Sequence, residues 1–198
     1  MAVATMAIQQ WTGAGPTKTT VTVPRLSTSD SAAPGTANPI PIPAASFNYS
    51  FWASFFLTCT AFNQATLINN HKFYGATCSW TYGSGGGLLI CTKTSSDKGV
   101  PTANYAIATG TVGTTGYSAD DVTNGYTFYK SGSANYAAPV AQSTYTSGSP
   151  MQVDATTQLA TTGNFYGVVL QAKIDTATNS AARGAQAAIT LTFVYDEV

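Results

Sequence analysis

The three cysteines, Cys59, Cys78 and Cys91, are the residues whose possible chemistry depends most directly on spacing. Their spacing matches no CxxC-type motif for zinc binding or thiol redox exchange. The glycine-rich run Gly83–Gly87 lies between the last two cysteines and predicts a tight hairpin turn. A hairpin centred on that run places Cys78 opposite Cys91.

The same register pairs Trp80 with Leu89 in the two strands of the hairpin. We predict that Cys78 and Cys91 lie on adjacent antiparallel strands with their side chains on one face. They form either a disulfide or a pair of free thiols, and a reducing cytoplasm favours the free thiols. In either case Cys59 is left without a cysteine partner, because the chain has only three cysteines.

His71 is the only histidine, so it is the one imidazole available as a general base. A Ser-His-Asp triad would need His71 beside Asp97, Asp120 or Asp154, but the chain has no GxSxG nucleophile motif. Glycoside hydrolysis needs two flanking carboxylates, and no feature selects a pair from the eight acidic residues. We interpret His71 as a strand residue, predict no catalytic residues and expect that the protein is not an enzyme.

Metal and phosphate motifs are incomplete. The segment Asp120–Gly125 lacks the alternating acids and the glutamate of an EF-hand loop, so we interpret it as a polar turn. The run Gly83–Gly87 lacks the Lys-Ser/Thr pair of a phosphate-binding loop. We therefore expect no metal and no cofactor.

Charge is scarce. Asp, Glu, Lys and Arg make up 8% of the residues, against about 25% in ordinary soluble domains. The formal net charge is +0 and the basic residues are scattered singly, so we expect no nucleic-acid partner. A neutral surface lacks the repulsion that keeps proteins apart and suits permanent association.

The beginning of the chain, Met1 to Trp11, has neither a basic region nor a long apolar region typical of a signal peptide. No window is long and apolar enough for a transmembrane helix. We therefore expect synthesis in a host cytoplasm and no membrane partner.

The elements that would position these residues are short strands. Period-two apolar patterns predict core strands at Phe47–Leu57, Tyr166–Ile174 and Ile189–Tyr195, and no segment has a sustained helical pattern. Many such strands separated by Gly, Asn, Ser and Pro clusters predict a single all-β domain over residues 47–198. We expect an antiparallel β-sandwich with jelly-roll or immunoglobulin-like Greek-key topology.

Residues 1–46 are rich in Pro, Thr and Ser and predict an extended N-terminal arm with one short strand near Thr19–Val23. We expect residues 1–43 of this arm to contact neighbouring subunits more than their own domain. Its predicted assembly residues are apolar: Trp11, Val21, Val23, Pro39, Ile40, Pro41, Ile42 and Pro43.

Three segments, Ile68–Tyr74 (INNHKFY), Val168–Ile174 (VVLQAKI) and Ile189–Glu197 (ITLTFVYDE), resemble β-sandwich structural proteins of tailed viruses. The resemblance implies a subunit bound to a capsid or tail, with no catalytic residue to carry over. The chain lacks the long helix of a major capsid protein, which favours a decoration role.

The resulting hypothesis is a virion structural protein, either a capsid decoration (cement) protein or a coat subunit. Its partners would be copies of itself and a major capsid or other virion protein. One alternative is a subunit of an extracellular, pilus-like filament that assembles by strand donation. Another is a carbohydrate-binding module of the tail-fibre type.

Overall fold

The period-two patterns of the sequence form antiparallel strands in a computed structural model of the chain. The structure describes residues 4–12, 17–29, 31–45, 47–51, 53–62, 67–76, 80–92, 140–179, 181, 184 and 186–198. Within these ranges it contains strands, two 3-10 helices of three residues each and no α-helix. The all-β prediction is confirmed.

Two antiparallel sheets contain the described strands. The strands are β1 (Ala4–Thr12), β2 (Thr17–Thr20), β3 (Asn48–Tyr49), β4 (Ala53–Phe62), β5 (Ile68–Gly75), β6 (Gly87–Thr92), β7 (Val140–Ala141), β8 (Met151–Asp154), β9 (Gly163–Ile174) and β10 (Leu191–Glu197). The large sheet has the order β2-β1-β4-β9-β6-β7, with β3 pairing β9. The small sheet has the order β10-β5-β8.

The main core contains side chains from both sheets. The alternating face predicted for β9 is confirmed, because Tyr166, Val168, Leu170, Ala172 and Ile174 all belong to the main buried cluster. That cluster also contains Ala53 and Phe55 of β4, Phe73 of β5 and Met151 and Val153 of β8. Each fully buried Val, Leu, Ile, Phe or Met side chain in this core contributes about 1.5–3 kcal/mol relative to exposure.

The opposite face of the large sheet is buried as well. Trp11 of β1 stacks on Phe56 of β4, with ring centroids 3.9 Å apart. Gly167 lies opposite Phe56 in the ladder, and a Cβ atom there would lie 2.7 Å from Phe56 Cζ. The glycine therefore leaves room for the phenylalanine ring, and β4 is buried on both faces over Ala53–Cys59.

The predicted strand Phe47–Leu57 is two strands rather than one. Tyr49 pairs with Lys173 and Ala53 pairs with Leu170. The chain therefore has three residues between these two pairs on the side of β3 and β4, but only two on β9. Such an extra residue is a β-bulge, which bends a strand. Ser50 lies in the bulge, and its hydroxyl oxygen accepts the Ala172 N–H at 2.9 Å.

The prediction of one short strand within residues 1–46 is wrong. The segment contains both β1 and β2, and β1 pairs with β4 from Ala4 to Trp11. The sequence pattern of β1 was missed because its polar residues, Gln9 and Gln10, interrupt the apolar period. Gln10 is nevertheless buried, because its amide donates to the Ser31 carbonyl.

The predicted pairing of Trp80 with Leu89 is also wrong. Leu89 of β6 has Gln171 of β9 on one side and Ala141 of β7 on the other, so no edge is left for Trp80. The turn itself is present, since Gly86 N–H donates to the Gly83 carbonyl at 3.1 Å. A turn signal predicts a reversal of the chain, but not which strand becomes the neighbour.

Candidate functional site

His71, the only histidine, lies on β5 as predicted, at the contact between the two sheets. Its ring lies 5.0 Å from the Phe165 ring and 5.4 Å from the Phe193 ring. The residue is 0% exposed, and neither ring nitrogen has a hydrogen-bond partner. Burial lowers the pKa of the imidazole to about 3, although the negative charge of Asp154 acts in the opposite direction.

Asp154, the acid opposite His71 in the ladder, is engaged with the backbone. Its Oδ1 accepts the N–H groups of Thr156 at 3.1 Å and Thr157 at 2.9 Å, and its Oδ2 accepts the Tyr166 N–H at 3.3 Å. The carboxylate therefore orders a turn and links β8 to β9. No described hydroxyl is hydrogen-bonded to His71, so the described residues do not assemble a triad; Asp97 and Asp120 lie outside them.

A second buried carboxylate, Asp175, was not singled out from the sequence. The hydrogen bond from Asn179 Nδ2 lowers the pKa of this carboxyl, with further help from the Thr176 and Gly85 N–H groups, although burial opposes the shift. Gly83, at φ +84, has no room for a Cβ, which would lie 2.6 Å from Asp175 Cβ. Asp175 thus holds the glycine turn against the end of β9.

A cleft of about 360 Å³ lies beside that turn. Its lining includes Trp80, Tyr82, Gln142 and Lys173. The Trp80 indole N–H donates to the Ala187 carbonyl, and its ring meets Tyr82 edge-on with centroids 5.0 Å apart. These contacts stabilise the wall of the cleft and leave the indole N–H engaged within the chain.

The described residues contain no group of three or more His, Cys, Asp or Glu side chains placed to hold a metal ion. In the same ranges, no helix has the length and apolar character needed to cross a membrane.

The predicted thiol pair cannot be placed. Cys78 lies outside the described residues, and the backbone of Cys91 pairs with Val169 on β9. Among the described residues Trp80 does not pair with β6, so the thiol pairing remains a prediction without the support of that hairpin register. Cys59 is a buried free thiol on β4, and burial raises its pKa.

The predicted assembly residues fall into three groups by exposure: one is fully buried, four are partly buried and three are exposed. Trp11 is 1% exposed and belongs to the large sheet of its own chain. Val21, Ile40 and Ile42 are partly buried and pack against the main core. Pro43 is also partly buried but does not belong to that cluster. Val23 is 77% exposed, and Pro39 and Pro41 are exposed as well.

The exposed group lies on a loop, described over residues 21–29 and 31–45, which we call the N-terminal loop. Backbone and side-chain bonds hold it to its own domain: Phe51 N–H donates to the Ser27 carbonyl at 2.8 Å and Asn48 Nδ2 donates to the Pro41 carbonyl at 2.8 Å. Within the loop, Thr28 N–H donates to the Asn38 carbonyl at 3.0 Å. Ile40 and Ile42 pack against the core of the domain, whereas Pro39 and Pro41 are exposed.

Comparison of the chain with models of protein families, with curated proteins and with solved structures finds no match.

Proposed function

We propose that the protein is a virion structural protein, a capsid decoration or coat subunit, whose N-terminal loop contacts copies of itself or another virion protein. We propose further that its two sheets form a β-sandwich of the kind found in such subunits. The protein is not an enzyme, and it works by shape-complementary contact. It resides in the virion after synthesis in the host cytoplasm.

The observation that carries the proposal is the exposure of Val23, Pro39 and Pro41 on a loop that is otherwise tied to its own domain. Val23 is one of only two large apolar side chains that are strongly exposed among the described residues. A loop held in place before contact loses little conformational entropy when it binds. Apolar side chains that remain in water on such a loop are suited to burial by a partner.

The scarcity of charge supports the same proposal. An interface built from a chain with 8% charged residues buries few ionic groups. Burying an imperfectly paired charge is costly, and charged residues are depleted at interface cores. A surface of Thr, Ser and Tyr therefore suits a large, permanent contact.

The test uses two matched variants, Val23→Asp and Val198→Asp. Both positions are exposed valines, at 77% and 69%, but Val198 lies at the end of the small sheet beside Leu67. Particles from the biological source of the chain are mixed with each purified protein and sedimented. We expect Val23→Asp to bind at least about tenfold more weakly, since it buries an unpaired charge, while Val198→Asp binds as wild type. Equal binding of both variants, or no particle that retains the chain, would contradict the proposal.

A filament subunit is the second candidate, favoured by one observation. Among the described residues β10 is seven residues long and pairs on one side only, with β5. Strand donation adds an extended segment to such an edge. Negative-stain electron microscopy of the purified chain separates the two: filaments formed by the chain alone support strand donation, and single subunits that attach to particles support decoration.

A further inference from the structure

The His71 imidazole and the aromatic rings around it form a contact between the two sheets. The imidazole contacts Phe165 of β9 in the large sheet and Phe193 of β10 in the small sheet. Phe193 in turn meets Phe73 of β5 edge-on, with centroids 5.2 Å apart. His71 is therefore the polar member of an otherwise aromatic contact.

An imidazole is a poor choice for this position if packing is its only task. Both nitrogens of His71 are buried without a hydrogen bond. A phenylalanine or leucine would fill similar space without the loss of hydration that an unpaired polar atom suffers. What the imidazole adds is the capacity to take up a proton at mildly acidic pH once the ring is exposed to water.

The pairing of β5, the strand that carries His71, is irregular near this residue on both of its edges. The register of β5 shifts against β8 between His71 and Lys72, and against β10 between Val194 and Asp196. Asn70, the residue before His71, has a φ of 55°, which non-glycine residues rarely adopt. Register shifts interrupt the ladder, so the small sheet has fewer regular hydrogen bonds at the level of His71.

We propose that His71 is an acid-sensitive contact between the two sheets: protonation of its imidazole makes the small sheet separate from β9 at Phe165. An imidazolium between two phenylalanine rings has two N–H donors, and neither ring nitrogen has a hydrogen-bond partner in the folded chain. It regains hydration only if β5 and β10 move away from β9. The inference concerns the folded chain alone and holds whatever the chain assembles with.

The charged and titratable groups around His71 do not supply a hydrogen-bond acceptor for the buried imidazolium. Asp154 faces it from β8, but its oxygens already accept backbone N–H groups. β9 presents Phe165 and Tyr166, and β10 presents Phe193, with its acids Asp196 and Glu197 at the exposed end of the strand. Cys59 of β4 belongs to the adjacent buried cluster, which also contains Phe165.

Because the chain has a single histidine, NMR of histidine-labelled protein needs no assignment of the imidazole signal. The wild-type chain is titrated from pH 7.5 to pH 4. We expect the imidazole to stay neutral as long as the folded spectrum persists, and to gain its proton together with faster amide exchange in β5, β8 and β10. An imidazole that titrates near its ordinary value of about 6.5 in an unchanged folded spectrum would overturn the proposal.

Denaturant unfolding of wild type and His71→Phe gives the second measurement. Below about pH 6.5 the unfolded wild-type chain binds a proton that the folded chain refuses, so stability is lost as the pH falls. Relative to the variant, the unfolding constant should rise about tenfold per pH unit between about pH 6 and pH 4. The carboxylates are the same in both proteins, so their contribution to the pH dependence cancels when the variant is compared with wild type. Parallel pH profiles, or exchange that accelerates equally in β4 and β9, would refute the small-sheet opening; if His71→Phe does not fold, the NMR titration decides.

Discussion

At the scale of single residues, Gly75 of the small sheet and Gln142, which follows the large-sheet strand β7, contact each other closely. Gln142, in the 3-10 helix Gln142–Thr144 after β7, is 0% exposed, and both atoms of its amide lack a partner. A Cβ atom on Gly75 of β5 would lie 2.7 Å from Gln142 Cδ. The Gly75 N–H also donates to the Tyr145 carbonyl at 3.3 Å, which brings this helix against β5.

This contact predicts a coupled pair of substitutions. Gly75→Ala should destabilise the protein by about 1–3 kcal/mol because the methyl group overlaps the amide. Gln142→Ala removes the overlap, so the double variant should lose less than the sum of the single losses. Gly148→Ala is the control: Gly148 is exposed and has nothing near its Cβ, so the change should stay within about 0.5 kcal/mol. Denaturant unfolding measures the wild type and all four variants, and strict additivity would refute the contact.

Residue types and periodicity predicted more of the strands than of the site. The inward face of β9 follows directly from five apolar residues at alternate positions, and His71 lies in a strand as expected. The unpaired burial of that imidazole and the role of Asp175 were not predictable. Both depend on neighbours far away in sequence, such as Phe193 for the first and Gly85 for the second.

At the scale of elements, the N-terminal strand β1 belongs to the domain's own sheet. It lies between β2 and β4, and its Trp11 covers Phe56 on the face opposite the main core. Lys18 of β2 lies over the same indole, with its Nζ 4.4 Å from the ring centroid. The segment was predicted as an arm because its Thr, Pro and Ser content is typical of linkers, which composition alone does not distinguish from an outer strand pair.

Trp11→Ala should therefore destabilise the isolated chain by about 3–5 kcal/mol, as expected for removal of a large buried aromatic side chain. Val23→Ala is the control within the same N-terminal region, and because Val23 is 77% exposed it should change stability by no more than about 0.5 kcal/mol. Thermal and denaturant unfolding of the monomer are the measurements. A Trp11→Ala protein as stable as wild type would mean that the strand is held mainly by neighbouring subunits.

At the scale of the whole molecule, four of the charged side chains in the part of the chain that the structure describes lie against aromatic rings or accept backbone N–H groups. Lys18 lies over Trp11, and Lys173 lies over Phe47 with its Nζ 3.8 Å from the ring centroid. Asp154 and Asp175 accept backbone N–H groups. These contacts order the chain locally, while the formal net charge of +0 and the low share of charged residues keep the long-range field around the chain weak.

The same property predicts how assembly responds to salt. If the contact is made by neutral side chains of the N-terminal loop, binding to particles should change less than about threefold between about 0.1 M and about 1 M NaCl, although the screening length falls from about 10 Å to about 3 Å. Sedimentation with particles at each salt concentration measures it. Val23→Lys provides the internal comparison, because a lysine placed in the contact should make the residual binding depend on salt. Release of the wild-type chain at 1 M NaCl would show that charged groups dominate the interface, and the neutral-contact argument would then fail even if the chain is a virion subunit.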